Sequence, residues 1–132
     1  MSASDLEISQ LNDLRHGLLA LHKALVDRQR LWHEREHGRL ESGGQMLQLL
    51  AYDPAFAWLR VLSALIVQID ERLDDKEPPL TSAGVKALTD EARGVIVGNA
   101  GGDDYQQAYS RALQESPDAV IAQSRVVRLL GR

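Results

Sequence analysis

The chain contains no cysteine, one phenylalanine and four prolines among its 132 residues. The missing cysteine excludes disulfides, thiolate zinc ligands and a cysteine nucleophile, and suits a reducing cytoplasm. Basic blocks are missing too. Fifteen lysines and arginines are interleaved with nineteen acidic residues for a net charge of −4, which offers neither a phosphate backbone nor an anionic membrane an electrostatic partner. No nucleic-acid or membrane partner is therefore expected. No uncharged stretch approaches the ~20 residues of a membrane span. Met1-Ser2-Ala3-Ser4-Asp5 lacks the basic and apolar parts of a secretory signal. The expected location is the cytoplasm.

What is present is ordinary globular material, 44% hydrophobic and 26% charged. Residues 1–132 are expected to form one domain. Helix punctuation is abundant. Ser4-Asp5-Leu6-Glu7 reads as a capping box opening a long helix that runs to His37 and stops at Gly38. Ser42-Gly43-Gly44-Gln45 opens a short helix, and Asp53-Pro54 opens a third that should reach about Asp75. Further helices are expected from Thr81 or Ser82 to Val97, from Asp103 to Glu115, and from Ser116-Pro117 to Leu130. Arg125, Arg128 and Arg132 suit the negative end of that last helix. No strand alternation is found. The expected fold is all-α, a helical bundle of five or six helices with the long first helix packed antiparallel on the third.

The faces can be read from spacing. Leu11, Leu18, Leu25 and Trp32 recur every seven residues, flanked by Leu14 and Leu21. The third helix offers Trp58, Leu59, Leu62, Leu65, Ile66, Ile69 and Leu73, the fifth Tyr105, Tyr109 and Ala112, and the last Val120, Val127 and their neighbours. Beside the leucine stripe runs a polar ladder, Arg15, His22, Gln29 and Glu36, also seven apart. Polar groups there need partners, and the antiparallel arrangement predicts a His22–Asp70 contact. The ladder is either a polar ligand channel or a set of satisfied pairs in a partly exposed seam between helices or at a dimer interface, and the second is the plainer reading.

One string carries a sharper chemical claim. His33-Glu34-Arg35-Glu36-His37 spells H-E-x-x-H, in which two imidazoles four apart bind zinc and the glutamate activates its water. Four features oppose that chemistry. The centre of the motif is charged, the helix ends directly after His37, no third ligand follows (Gly43 stands where a downstream histidine would be needed), and no sheet frames a substrate. Glu34 to His37 also contains the E-x-x-H of di-iron bundles, but all four histidines lie on one helix. No metal is expected. If one binds, it is zinc through His33 and His37, with a second subunit completing the site.

Trp32, His33, Glu36, Tyr52, Phe56 and Trp58 should gather at one end of the bundle. They read either as a small-ligand pocket with convergent polar groups or as an aromatic plug of the core. Asp70 to Glu77 lacks the glycine turn of a calcium loop and reads as a solvated helix end.

His37-Gly38-Arg39, Gln45-Met46-Leu47-Gln48-Leu49-Leu50 and Asp53-Pro54-Ala55-Phe56-Ala57-Trp58-Leu59-Arg60, continued by Leu62 to Val67 and Ile69-Asp70-Glu71, resemble a family of small uncharacterised bacterial proteins. The resemblance implies that the junction of the second and third helices is the defining element, and it brings no activity. The reading is a non-enzymatic helical bundle that acts through protein association as a homodimer, without a cofactor. The alternative is a bundle binding a metal or small ligand at the His33/His37 and aromatic end. A metal-dependent hydrolase ranks last.

Overall fold

Most helices begin where a polar side chain can hold an otherwise unpaired amide. The computed structural model describes residues 1–75 and 77–131. Over them run six helices: α1 (Asp5–His37), α2 (Gly43–Tyr52), α3 (Leu59–Asp74), α4 (Ser82–Ile96), α5 (Asp103–Glu115) and α6 (Pro117–Leu130). The fold is all-α. Ser4 Oγ accepts from the Glu7 N–H at 3.1 Å while Glu7 accepts from the Ser4 N–H at 2.9 Å, a complete capping box. Ser42, Thr81 and Ser116 cap α2, α4 and α6 in the same way. The second box is only half formed, because Gln45 reaches the Glu41 amide, not that of Ser42. α1 ends at Gly38, whose φ of 85° and ψ of 170° belong to a region that only glycine enters readily.

α1 is the axis of the molecule. Leu11, Leu14, Leu18, Leu21, Leu25 and Trp32 are all buried along one side of it, and α3, α4, α5 and α6 all pack against it. α3 runs antiparallel: Gln29 on α1 meets Trp58 just before α3, and Arg15 meets Asp70 near its other end. α4 is tied to α6 by Arg93, which donates to the Leu130 carbonyl at 2.7 Å. The buried Tyr105 hydroxyl donates to the Val95 carbonyl at 3.1 Å and joins α5 to α4. An isolated bridge pairs Ser2 with Thr81, fixing the segment before α1 against the start of α4.

Three expectations need correction. The third helix does not start at Pro54: residues Pro54–Phe56 form a 3-10 turn, and α3 begins at Leu59. Phe56 and Trp58 are both buried. On a continuous α-helix, residues two apart point about 200° away from each other, so the break lets both face inward. The second correction concerns α6. Val120 and Val127 are exposed, and Ala119, Val126 and Leu130 are buried in their place. Gly17 offers no side chain on α1, and α6 lies close there through Val126 and Leu129. The third is the His22–Asp70 contact, which does not form. Asp70 accepts from Arg15 Nη1 at 2.9 Å, because α3 sits about two turns closer to the start of α1 than a His22 pairing requires. Arg128 lies in the last turn of α6, as expected. Lys76, in the charged run after α3, and Arg132 lie outside the described residues.

A Cβ at position 17 would stand 3.0 Å from Leu129 Cδ1 and 3.3 Å from Val126 Cγ2. Gly17→Leu should therefore destabilise the fold by about 1–3 kcal/mol by overpacking, in spite of leucine's better helix propensity. Urea denaturation measures this, and an unchanged or raised midpoint would contradict the close α1–α6 approach.

Candidate functional site

At the C-terminal end of α1 the leucine stripe gives way to aromatic rings. Trp32 occupies the next seven-residue position after Leu25 and is 7% exposed. Its ring lies 6.2 Å from that of Trp58, which is followed by Tyr105 at 6.4 Å and then Tyr109 at a further 5.5 Å. Each indole N–H needs an acceptor when buried. Trp58 Nε1 donates to Gln29 Oε1 at 2.8 Å, and Trp32 Nε1 donates to Glu115 Oε1 at 3.0 Å. Glu115 also accepts from Arg111 Nε at 2.9 Å, and the Arg111 guanidinium lies 3.9 Å over the Trp32 ring. Burial pushes the Tyr105 hydroxyl above its ordinary pKa and that of Tyr109 up to about 12, so both stay neutral.

A cleft of about 390 Å³ opens beside these rings, between the end of α1, the Pro54–Phe56 turn and the first half of α5. Trp32, His33, Glu36 and Trp58, expected at this end, all line it, together with Gln29 and His37. Tyr52 and Phe56 do not. Tyr52 is 77% exposed on the outer side of α2, and Phe56 is fully buried under His33, with ring centroids 5.8 Å apart. The polar side chains that sequence reasoning missed are Asp53, read there only as a cap, and three from α5: Asp104, Gln107 and Arg111. The only local sign of those three is an exposed polar face opposite the buried Tyr105, Tyr109 and Ala112.

The polar ladder resolves into separate contacts along the α1–α3 seam. Arg15 takes Asp70, and Gln29 takes Trp58. His22, partly buried, is held near the Leu59 backbone. Its pKa lies below the ordinary value because burial disfavours the imidazolium, with the Leu59 hydrogen bond opposing. Glu36 is exposed, its Oε2 3.7 Å from His37 Nε2.

The H-E-x-x-H side chains are engaged individually. The His33 and His37 rings lie 4.6 Å apart, as residues one turn apart must. Glu34, which would have to activate a metal-bound water, accepts from the Leu40 N–H at 2.8 Å and lies 3.4 Å from Arg30 Nε. Two imidazoles are thus within reach of one ion, but among the described residues no three His, Asp or Glu side chains are grouped to hold it.

No family model, curated protein or solved structure matches the chain. The likeness noted over residues 37–71 therefore stands on its motif alone.

Two measurements test this geometry. Gln29→Leu leaves the buried Trp58 N–H without an acceptor and should cost about 1–3 kcal/mol in denaturant unfolding. A cost near zero would mean that the pair contributes nothing. The second measurement is pH dependence. The unfolded chain binds a proton at His22 more readily than the fold does, so stability should fall as pH drops below 6.5 toward the lower folded value. Carboxylates act in a lower window. Glu115 is held down by the Trp32 N–H and then Arg111, Glu7 by the Ser4 amide, and Asp90 by Lys86. Their stabilisation is present at neutral pH and is lost as pH falls below about 4.5 through the folded values. Melting temperatures of His22→Gln should flatten the upper step and keep the lower one.

Proposed function

We propose that the protein acts by association, and that two copies pair through α2. One observation carries this reading: α2 is a helix without a buried residue, although six of its ten residues, Met46, Leu47, Leu49, Leu50, Ala51 and Tyr52, are apolar or aromatic. Met46, Leu49 and Leu50 rest partly on the core, while Leu47 at 69% and Tyr52 at 77% exposure face outward with Ala51. The run Ser42 to Tyr52 carries no charge. Water contact along such a face is unfavourable by roughly 25 cal/mol per Å², and a partner that covers it recovers that energy.

Charge placement favours a second copy as that partner. A two-fold axis across α2 sets two such helices antiparallel. The end of one copy that carries Arg39 and Glu41 then lies beside the end of the other that carries Asp53 and Arg60, with both signs available at each end and none buried between. A two-fold contact also needs only one self-complementary patch, which a short uncharged helix provides. The patch is small against the ~800 Å² per partner of a stable complex, so micromolar affinity is the expectation.

Gel filtration with light scattering tests the proposal. At ~100 µM the chain should approach about 29 kDa, twice its 14.6 kDa mass, and shift toward monomer on dilution. Leu47→Glu should give a monomer with unchanged helical circular dichroism. A monomeric wild type, or a dimeric Leu47→Glu, would overturn the reading.

A further inference from the structure

The four histidines of α1 differ in what their rings meet. His22 is held near the Leu59 backbone, and His16 Nε2 lies 3.5 Å from Arg15 Nη2. Among the described residues the rings of His33 and His37 make no hydrogen bond. His33 meets the rings of His37 and Phe56, and His37 Nε2 stands 3.7 Å from Glu36 Oε2, beyond hydrogen-bonding distance. A neutral imidazole carries one lone pair. Two neighbouring rings thus keep theirs for a partner from outside the chain.

Their separation fits a single ion. Two imidazoles bonded to one metal at about 2.0–2.1 Å, roughly 90–110° apart, hold their ring centres about 4.5–5 Å from each other. The His33 and His37 ring centroids are 4.6 Å apart. Water reaches the pair from two sides, because both histidines line two clefts. One is the cleft shared with Trp32 and Trp58; the other, also about 390 Å³, lies between the end of α1 and Arg39, Gln45, Gln48 and Leu49. An ion between the rings can therefore keep water at the positions that the protein does not fill. Charge in the first cleft agrees: Glu36 stands beside His37, and the one arginine there, Arg111, is committed to Glu115.

We infer that His33 and His37 chelate one divalent transition-metal ion, with water completing its coordination. Imidazole nitrogen suits Zn2+, Ni2+ and Cu2+, of which Cu2+ binds most tightly, whereas Mg2+ and Ca2+ take oxygen ligands. The site holds an ion without being a hydrolase centre. Glu34, which would have to activate a metal-bound water, accepts from the Leu40 amide and lies beside Arg30. Both protein ligands come from one chain. The inference is therefore independent of pairing through α2, and the monomeric Leu47→Glu variant should bind as the wild type does.

Trp32 and Trp58 line the same cleft as both histidines, so tryptophan emission reports on a paramagnetic ion bound there. The test titrates tag-free full-length protein with Cu2+ by fluorescence quenching and with Zn2+ by calorimetry. The expected result is one ion per chain, a Kd of about 1–10 µM for Cu2+ and weaker binding of Zn2+. His37 is 61% exposed, so His37→Ala leaves the core intact and should keep the helical circular dichroism. It should weaken Cu2+ binding about tenfold or more, because a single imidazole no longer gains from a tethered second one. His33→Gln should do the same, His16→Ala should change nothing, and ~5 mM Mg2+ should not compete. Four outcomes would overturn the inference: no saturable quenching, Cu2+ affinity that survives His37→Ala, displacement by Mg2+, or binding lost in Leu47→Glu, which would place the site between two chains.

Discussion

The burial of one leucine stripe holds this protein together. α1 is 33 residues long, about 50 Å of helix, and α3, α4, α5 and α6 all pack against it. One side of α1 is buried; the outer side carries charges, some of which pair along the helix, as Lys23 does with Asp27 at 2.9 Å. Such exposed pairs stabilise little. Each fully buried leucine contributes roughly 1.5–3 kcal/mol relative to exposure, and the stripe holds five of them besides Trp32. The remaining helices are arranged so that no part of this line meets water. Gly17 serves the same end, since without a side chain there α6 can approach and seal the middle of the stripe.

The site follows from where that stripe changes character. A leucine at position 32 would fill space and ask nothing more. Tryptophan fills more space and brings an N–H that must be satisfied, as does Trp58 opposite it. Those two donors recruit Gln29 and Glu115, and Glu115 in turn draws Arg111 over the Trp32 face. An apolar end of a bundle has thus become polar through the hydrogen-bonding needs of its own aromatic residues. The cleft is the space that these rigid rings and their partners leave unfilled.

How much of this was legible depended on how local the determining physics was. Capped helix starts were legible because a cap is settled by a few neighbouring residues, as Ser4 with Glu7 and Ser116 before Pro117 show, whereas the start of α3, which has no side-chain cap, was not. The buried side of α1 was legible because its seven-residue spacing repeats over four positions, with Leu14 and Leu21 between them. The register between α1 and α3 was not, since no residue on one helix marks its level on the other, and Asp70 found Arg15 where His22 was expected. α6 misled for a related reason. Hydropathy favours Val120 and Val127, but it does not mark which side of α6 meets the core, and that side carries Ala119, Val126 and Leu130. The contribution of α5 to the cleft was invisible, because Asp104, Gln107 and Arg111 reach Trp32 only through the folding of α5 back onto α1. Tyr52 and Phe56 were expected on one wall together, and the 3-10 turn between α2 and α3 separated them.

The H-E-x-x-H string shows how the same letters can answer a different physical demand. Ending a helix leaves backbone groups to be accommodated beyond its last turn, and the chain after His37 turns sharply through Gly38. The Leu40 amide then points back toward α1, and Glu34 is placed to accept from it at 2.8 Å. The spacing that puts a glutamate beside one histidine and a turn before another also puts it beside the exit of the chain. A carboxylate that holds a backbone amide and lies beside Arg30 is fixed in direction. Its task here is to set the path of residues 38–42, and that path carries the uncharged α2 to the outside of the bundle. The most suggestive motif in the sequence thus acts on the fold, through where it sends the chain.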